Sequence, residues 1–444
     1  MTNWITFIAE EVGLHTLSSS GCDVYLIIAL RMIRLVGFGA TSLILALFLK
    51  SLDIPEQFIG LFMTLTFIGD LVSSFLLSIV TDQIGRKKML VLCSIMMAVT
   101  GGVFTLFENY YVLVITAILG ILTPSGGEVG PFRTIEQSAI ASLVPATQRP
   151  DIYAWYTFLG TFSAAIGSVI AGTLIDFVQN TYDLNIVESY KCVFGVYTLL
   201  SVICVVLSLF ISAGVEVKEE QPEQQEEASE TTQLVQTTQP TPKKGFQLLP
   251  PLTPDTYLLV LKLSLLFGLD SFASSLTPLS WISFYIKNKF DVPSSYLGSV
   301  FFITGFISGF AALGSTPLTK RFGAVVTMVF THLPASILLA LVPLPTSFSL
   351  TLTILIIRAC TQTMDVAPKH VFLATLVPDN QRTAVFGFVN VVKTLAQVIG
   401  PSIVGVITQR GAQWITFVVA GSLKATYDVG MLVTFLTYNR HSLH

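Results

Sequence analysis

The chain has 444 residues, of which 52% are apolar and 11% are charged. A soluble domain has about 25% charged residues, so this composition excludes a soluble globule and predicts an all-α integral membrane protein. The net charge of −3, without a basic stripe, argues against nucleic acid as a partner. The sequence has no phosphate-binding GxxxxGK[ST] motif, no Ser/His/Asp set and no metal-ligand spacing, so we predict neither an enzyme nor a cofactor or metal site.

The first predicted element is a short arm, 1–22, which lacks the basic start of a secretory signal and is expected to be cytoplasmic. Apolar segments of roughly the 20 residues that cross a bilayer follow it. Six predicted helices lie near 24–49, 57–80, 89–107, 111–143, 152–178 and 190–213. Six more lie near 256–286, 294–316, 323–343, 348–377, 383–408 and 412–437.

The sequence between these two sets changes abruptly. Residues 216–241 are rich in Glu, Gln and Thr and have almost no large apolar side chain. Such a segment cannot bury a core, so a disordered cytoplasmic linker is predicted over 214–254. The domains on either side are an N-terminal six-helix bundle over 23–213 and a C-terminal six-helix bundle over 255–438, which a short cytoplasmic tail, 439–444, follows.

Lysine and arginine in the short loops predict the orientation, because cytoplasmic loops carry an excess of these residues. With a cytoplasmic N-terminus, eleven of them fall in inner loops and five in outer loops. We therefore expect both termini and the linker to be cytoplasmic, while the plasma membrane and internal membranes both stay open. The chain is expected to be a lipid-embedded monomer.

Two pairs of segments in the chain repeat each other. The first pair aligns Asp53-Ile54-Pro55, Gly60 and Gly85 with Asp291-Val292-Pro293, Gly298 and Gly323. The second aligns Leu143-Val144-Pro145, Gln148-Arg149 and Gly172 with Leu376-Val377-Pro378, Gln381-Arg382 and Gly405. Because each half starts and ends on the same side, we predict two pseudo-symmetric halves with a site between them, as in secondary transporters.

The loop after the second predicted helix carries a family resemblance. It reads Ser78-Ile79-Val80-Thr81-Asp82-Gln83-Ile84-Gly85-Arg86-Lys87-Lys88. This loop resembles the signature G-x-x-x-D-R-x-G-R-[KR]-[KR] of the major facilitator superfamily, from which Ser78 and Gln83 depart. With twelve predicted helices and a long central linker, the resemblance covers essentially the whole chain and implies the major facilitator fold. The segment around the fourth helix, 128–156, is similar to a branch of the superfamily whose substrates are largely unassigned.

The resemblance also implies a role for this loop. It implies that Asp82 contacts the facing half and closes a cytoplasmic gate, with Gly85 providing the tight turn. We group Arg86 with this gate, and also Arg149 and Arg382 of the repeated Gln-Arg loops. The alternative is that these cations only mark the topology.

Ionised side chains in the predicted helices are not scattered. Each costs from about 2.5 kcal/mol upward near the bilayer centre, so such groups are expected to face a cavity or a partner. They fall on the first, fourth, seventh and tenth helices, which line the central cavity in the superfamily that the chain resembles. The set comprises Arg31, Arg34, Glu128, Arg133, Glu136, Asp270, Arg358, Asp365, Lys369 and His370.

Carboxylates in this set are predicted to couple transport to protons, because a cavity of changing hydration alters their protonation. Glu128 and Asp365 are the first candidates, since each opens a related tetrapeptide that ends in proline. Asp270 follows them, together with Asp70 on the second helix. The proline and the glycines before it predict a local break in the fourth helix.

Arginines in the set are predicted to bind the solute. The guanidinium groups of Arg34, Arg133 and Arg358 offer planar donor pairs that suit an anionic or polyhydroxylated small molecule. The alternative is gating, or pairing with Asp70, Glu128 or Asp270.

Structural pairs are a further alternative for several of these groups. Helical spacing would allow Arg133 to pair with Glu136, Asp365 with Lys369, and Lys424 with Asp428. His332 is interpreted as a tolerated polar residue on a peripheral helix. Arg31 is expected to reach the membrane surface, and Trp155 and Tyr156 are expected to be interfacial anchors.

These patterns predict a secondary active transporter that works by alternating access of two halves, coupled to protons or another ion, for a polar or anionic small organic solute. One alternative is a drug/proton antiporter with an apolar pocket around Phe38, Phe267, Phe272 and Trp281. An alternative of another class is a membrane sensor or assembly factor that does not transport.

Overall fold

A computed structural model of the chain describes residues 14–125, 130–145, 148–216, 254–376 and 379–441. Within these ranges the regular structure is helical and contains no strand, which confirms the predicted all-α class. Almost all of the predicted linker lies outside the described residues.

Eight helices describe the first half of the chain. They are α1 (Leu14–Ser18), α2 (Cys22–Ser51), α3 (Glu56–Ile84), α4 (Arg86–Leu106), α5 (Tyr110–Leu119), α6 (Gly130–Leu143), α7 (Arg149–Tyr182) and α8 (Ile186–Leu209). A single 3₁₀ turn over Ala213–Val215 follows α8.

The described part of the second half contains nine helices. They are α9 (Pro254–Ser275), α10 (Leu279–Phe290), α11 (Ser294–Leu313), α12 (Ser315–Phe322), α13 (Ala324–Leu341), α14 (Phe348–Ala359), α15 (Val366–Leu376), α16 (Asp379–Gln409) and α17 (Trp414–His441).

Most of these helices are long and apolar enough to cross a membrane. The described residues provide nine candidate spans, in which α9 and α10 count as one, and two shorter apolar helices, α5 and α14. The remaining long helix, α17, carries Lys424 and Asp428, which lower its apolar character. These elements are consistent with the predicted twelve crossings.

Three predicted helices are interrupted in the structure. The predicted 111–143 helix is divided between α5 and α6, as its proline and glycines indicate. The predicted helices over 256–286 and 348–377 are also divided, into α9 and α10 and into α14 and α15, and we did not expect these two breaks. Proline explains where each new helix begins, because Pro278 immediately precedes α10 and Pro368 lies in the first turn of α15, where proline is tolerated.

Close backbone contacts between the halves follow the internal repeat. A Cβ atom added at Gly298 of α11 would clash with the carbonyl group of Ser168 on α7, and one added at Gly60 of α3 would clash with the carbonyl group of Pro401 on α16. Gly60 and Gly298 are equivalent in the first repeated pair, and Ser168 and Pro401 have the spacing of the second. The two contacts are therefore pseudo-symmetric, which confirms the predicted relation between the halves.

Several hydrogen bonds also join the halves near one end of the bundle. The carboxylate of Asp176, near the end of α7, accepts bonds from the backbone N–H groups of Ser294 (3.1 Å) and Ser295 (2.8 Å), which open α11. The Ser280 hydroxyl on α10 donates to the Ser42 carbonyl oxygen on α2 at 2.7 Å. Large apolar side chains of α2 and α10 share a buried cluster there. We call this end of the bundle, where α2 and α7 end, the closed end.

Candidate functional site

The charged residues of the first half form a buried network. Arg34 on α2 donates two bonds of 2.8 Å, from Nη1 and Nη2, to the two carboxylate oxygens of Glu136 on α6. Both side chains are almost completely buried, at 2% and 0% exposure. The Tyr156 hydroxyl on α7 donates to Glu136 Oε2 at 2.7 Å. Two guanidinium groups lie over aromatic rings, with Arg34 4.0 Å from the centre of Phe132 and Arg31 3.8 Å from that of Tyr156.

This network corrects several predictions. Arg34 faces a buried carboxylate, that of Glu136, which was not among the partners that we considered for it. The predicted pair of Arg133 with Glu136 is wrong, because Glu136 binds Arg34 and Arg133 is exposed. Tyr156 and Arg31 are buried in the bundle and do not reach a membrane surface. Their contacts tie α2, α6 and α7 together.

A second network lies in the second half and is centred on Asp270 of α9. Its Oδ1 accepts a bond of 2.8 Å from Lys424 Nζ on α17, and its Oδ2 accepts one of 3.1 Å from Lys369 Nζ on α15. Lys369 also pairs with Asp365 at 3.0 Å, as its helical spacing predicts. Asp270 and Asp365, two predicted proton carriers, are therefore brought together by one lysine. The prediction that Lys424 pairs with Asp428 is wrong, since Lys424 binds Asp270.

Asp428 instead pairs with His332, across α17 and α13. His332 Nδ1 lies 2.8 Å and 3.0 Å from the two carboxylate oxygens, and the Ser336 hydroxyl donates to Oδ2 at 2.9 Å. Both members of the pair are buried. His332, which we interpreted as a tolerated polar residue, is thus half of a buried titratable pair.

A cavity of about 260 Å³ adjoins both the Asp270 network and the His332–Asp428 pair. Its nine lining residues come from the turn between α9 and α10 and from α9, α13, α14, α17 and the segment after α14. Eight of the nine are polar, and Ala335 is the exception. Arg358, a predicted solute ligand, lines the cavity together with His332 and Lys424. The cavity therefore lies wholly within the second half and is rich in hydrogen-bond donors.

The other predicted carriers lie elsewhere. Glu128 is outside the described residues. Asp70 is half-buried on α3 and accepts a bond of 3.3 Å from the Ser74 hydroxyl. Arg133 is exposed on α6. Of the predicted solute and proton sites, Arg34 therefore lies in the buried network of the first half, whereas Asp270, Asp365 and Arg358 lie in or beside the polar cavity of the second.

The predicted gating loop is held by a carboxylate that we did not predict. Glu216 accepts bonds from the backbone N–H groups of Arg86 (2.7 Å) and Lys87 (3.2 Å), which open α4. Gly85 has a φ of 97°, and a Cβ atom there would meet the Glu216 carboxylate, so glycine is required at this turn. The Arg86 guanidinium donates to Ser142 Oγ at 3.0 Å and to the Val215 carbonyl oxygen at 2.9 Å. The loop is therefore tied to Val215 and Glu216, which belong to the start of the predicted linker.

The remaining gating candidates are only partly described. Arg149 Nε donates to the Val144 carbonyl oxygen at 3.0 Å, within its own loop. The side chains of Asp82 and Arg382 lie outside the described part of the chain.

Sequence reasoning missed four of these functional candidates: Glu216, Asp176, His332 and Lys424. A signal existed for the last two, because an ionisable group inside an apolar helix needs a partner, and α13 and α17 each carry such groups. Asp176 and Glu216 lie at helix ends near water, where a carboxylate is common, and no sequence signal separated them from other surface acids.

Comparison with known proteins gives one family. The model of the Major Facilitator Superfamily matches residues 27–401 and 263–442. A membrane protein of Saccharomyces cerevisiae, the uncharacterized YJR124C, is 32% identical over 426 residues, which cover 93% of this chain and 94% of that protein.

Solved structures give the same fold. The crystal structure of the nucleoside transporter NupG is similar with a TM-score of 0.65 at 16% identity, over 94% of this chain and 99% of NupG. A D-xylose-proton symporter is similar with a TM-score of 0.63 at 13% identity, over 92% and 96% of the two chains. At identities this low, the similarity shows the fold and does not show which solute is transported.

Proposed function

Because the chain belongs to the Major Facilitator Superfamily, and hence is a secondary transporter, we propose that it moves a polar or anionic small organic solute by alternating access, coupled to protons. The observation that carries this proposal is the polar cavity of the second half. Arg358 lies in its wall, and the buried pair of His332 and Asp428 adjoins it. Buried ionisable groups inside a membrane bundle are costly, and function is the usual reason for keeping them.

Rocking of the halves is the proposed motion. Each half is tied together by its own buried ion pairs, while the contacts between the halves at the closed end are short hydrogen bonds and glycine packing. The contacts within a half are therefore more costly to break than those between halves. Opening the closed end would separate Asp176 from α11 and leave each half intact.

The proposed orientation places the end with Gly85 and Gly323, the motif end, in the cytoplasm. Arg86 and Lys87 at this end supply part of the positive charge that cytoplasmic loops carry. With both termini and the linker on this side, the closed end faces away from the cytoplasm. The two six-helix domains, 23–213 and 255–438, are proposed as the bodies that move.

A drug/proton antiporter is less well supported by the described residues. Three of the four aromatic residues that would form its apolar pocket, Phe38, Phe267 and Trp281, are no more than 1% exposed and belong to packed clusters. Side chains in such clusters are already covered by neighbours and offer little surface to a drug.

Reconstitution in proteoliposomes tests the proposal. We expect an inward pH gradient to drive solute uptake, and solute addition to cause proton movement that a trapped pH dye reports. Asp365→Asn and Glu128→Gln should each lower the proton-driven uptake at least tenfold, whereas Asp291→Asn, at an exposed helix end, should not. Uptake with unchanged pH dependence in both Asp365→Asn and Glu128→Gln would reject these two carboxylates as proton carriers. The lack of uptake of any polar solute would favour a non-transporting protein.

A further inference from the structure

The cavity in the second half has the wall of an anion site. The residues that line it include the guanidinium of Arg358, the ammonium of Lys424, the amide of Gln362 and four hydroxyl groups, and none of the lining residues is a carboxylate. A wall with two cationic side chains and no carboxylate attracts negative charge. A solute that carries a carboxylate group has the complementary chemistry.

Arg358 is the lining cation that lacks a partner. Its Nε atom is buried without a hydrogen-bond partner, and the described residues provide no carboxylate within ion-pair distance of it. Lys424, by contrast, already donates to Asp270 and to Ser274. Arg358 is half-buried, and a guanidinium in that setting without a carboxylate partner is costly, so an anion bound in the cavity would pair with Arg358 first.

The balance of charged groups in and around the cavity predicts that a proton enters together with the anion. Its fixed cations are Arg358, Lys369 and Lys424, and its carboxylates are Asp270, Asp365 and Asp428. With His332 neutral, three positive charges face three negative charges. One bound anion would leave the cluster with a net negative charge in a medium of low dielectric constant, which is unfavourable. One proton taken up with the anion restores neutrality.

His332 is the described member of the cluster best suited to take that proton. It is the one group among them whose unperturbed titration lies near neutral pH. Because Nδ1 faces the Asp428 carboxylate, Nδ1 carries the proton of the neutral ring, and Nε2 is left to accept a second one. His332 also lines the cavity, so its charge acts directly on a bound anion.

The groups that face His332 come from each packed element. Asp428 and Tyr427 on α17 flank the ring, Lys424 and Arg358 share the cavity wall, and Asp270 on α9 acts at longer range. A second set of charges lies beyond them, where Lys393 on α16 interacts electrostatically with Lys369 and Asp270 but does not line the cavity. Lys393 forms no ion pair with these groups among the described residues, so it is not part of the charged cluster, whose members line the cavity or are joined to its lining through ion pairs.

From these observations we propose that the cavity binds one small monocarboxylate at Arg358 and that His332 takes up one proton with it. This inference rests on the proposed transport function and names its solute class. The cavity of about 260 Å³ lies near the lower end of the range of ligand pockets, about 300–1,000 Å³, which suits a small anion. A doubly charged anion would require a second proton and binds more weakly.

Calorimetry on the purified full-length protein tests this proposal without transport. Sodium acetate and sodium lactate are the monocarboxylate probes, sodium chloride is the halide probe and sodium phosphate is the multiply charged probe. Titrations at one pH in buffers of different ionisation enthalpy give the number of protons taken up. We expect a value near one for the monocarboxylates, and a Kd that rises with pH, by about tenfold per pH unit at most, because one proton is taken up with each anion.

Two variants and a control locate the site. Arg358→Gln should weaken monocarboxylate binding at least tenfold. His332→Gln should retain binding and lose both the proton uptake and the pH dependence. Arg410→Gln removes an exposed arginine and should match the unsubstituted protein. The proton count in the unsubstituted protein needs no variant, so it tests the proposal even if a substitution impairs folding.

The outcomes separate this site from the transport function. Binding of neither monocarboxylate, tighter binding of chloride than of both, or unchanged binding in Arg358→Gln overturns the proposal. Binding with one proton, but no counterflow of that anion in proteoliposomes, supports the site and contradicts transport of this solute. Transport of another solute that Arg358→Gln leaves unchanged supports the transporter and overturns the site.

Discussion

Glu136 and Lys369 occupy equivalent positions in the two halves and carry opposite charges. They are 233 residues apart, the separation of Leu143 from Leu376 in the sequence repeat. Glu136 binds Arg34 on α2, and Lys369 binds Asp270 on α9. The first and fourth helices of each half are thus joined by an ion pair, and the polarity of that pair is reversed between the halves.

The two pairs differ in what surrounds them. The first-half pair is sealed by aromatic rings and is at most 2% exposed. The second-half pair is 16% and 11% exposed, shares its lysine with Asp365, and lies beside a polar cavity. The same place in the repeat therefore serves as a rigid joint in one half and belongs to the candidate site in the other.

The first prediction concerns the sealed pair. Glu136→Gln should lower the free energy of unfolding by about 3–5 kcal/mol, because it removes the negative charge that accepts two bonds from the buried Arg34 guanidinium. The apparent melting temperature in detergent, followed by tryptophan fluorescence, measures this loss. Replacing both residues, as Arg34→Leu with Glu136→Leu, should recover part of the stability, since neither charge of this pair is then left buried without the other.

A matched control is available on the surface. Glu108 pairs with Lys191 across an exposed contact in which Glu108 is 57% exposed, and such pairs contribute about 0–1 kcal/mol. Glu108→Gln should therefore hardly change the melting temperature. An equal loss in Glu108→Gln and Glu136→Gln would contradict the structural role of the buried pair.

Much of the architecture was predictable because membrane sequences are strongly constrained. Composition predicts helices that cross the bilayer, and the repeated Asp53 and Asp291 segments, each followed by the glycine of a helix contact, predict two related halves. The glycines were informative for a physical reason. Gly60 and Gly298 lie where two backbones touch, and only a residue without a side chain fits there.

Partners of the charged residues were harder to predict. Helical spacing brings Asp365 and Lys369 together, but it also suggested Lys424 with Asp428, which are directed to different helices. Spacing reports only which groups share a face of one helix. The choice between a neighbour on the same helix and one across an interface depends on helix packing, and the sequence of a single helix does not contain it.

A second prediction separates the two carboxylates of the second-half network. Asp270 binds two ammonium groups. Among the described residues, Asp365 binds one, that of Lys369, which still has Asp270 as a partner when Asp365 is lost. Asp270→Asn should therefore cost about 3–5 kcal/mol of stability and Asp365→Asn about 1.5–3 kcal/mol. Chemical denaturation of the two variants in the same detergent compares them. Equal losses would mean that Asp270 is not the centre of the network.

The third prediction concerns the carboxylate that joins α7 to α11 at the closed end. Asp176 accepts bonds from two backbone N–H groups at the start of a helix of the other half, where a negative charge is stabilised. Asp176→Ala should remove about 1 kcal/mol from the closed arrangement, which shifts the equilibrium toward opening about fivefold. Spin labels at exposed Thr181 and Asn288, in a background without the five native cysteines, report the distance across this end.

A nearby substitution provides the comparison. Asn180 lies on the same helix, one turn after Asp176, and is exposed. Asn180→Ala should leave the distance distribution unchanged. If Asp176→Ala also leaves it unchanged, the cap does not stabilise the closed end.

The last prediction uses the glycine contact that the repeat identified. Gly298→Val places a side chain against the Ser168 carbonyl group, and neither backbone can withdraw without separating α7 from α11. The closed end should therefore open, which the same spin labels report as a longer distance, and transport should fall at least tenfold because one of two alternating states is lost. Gly102→Val is the control, since a Cβ atom there meets nothing within 4 Å and any general cost of valine in a helix is shared. Normal transport by Gly298→Val would show that this contact does not form in the working cycle.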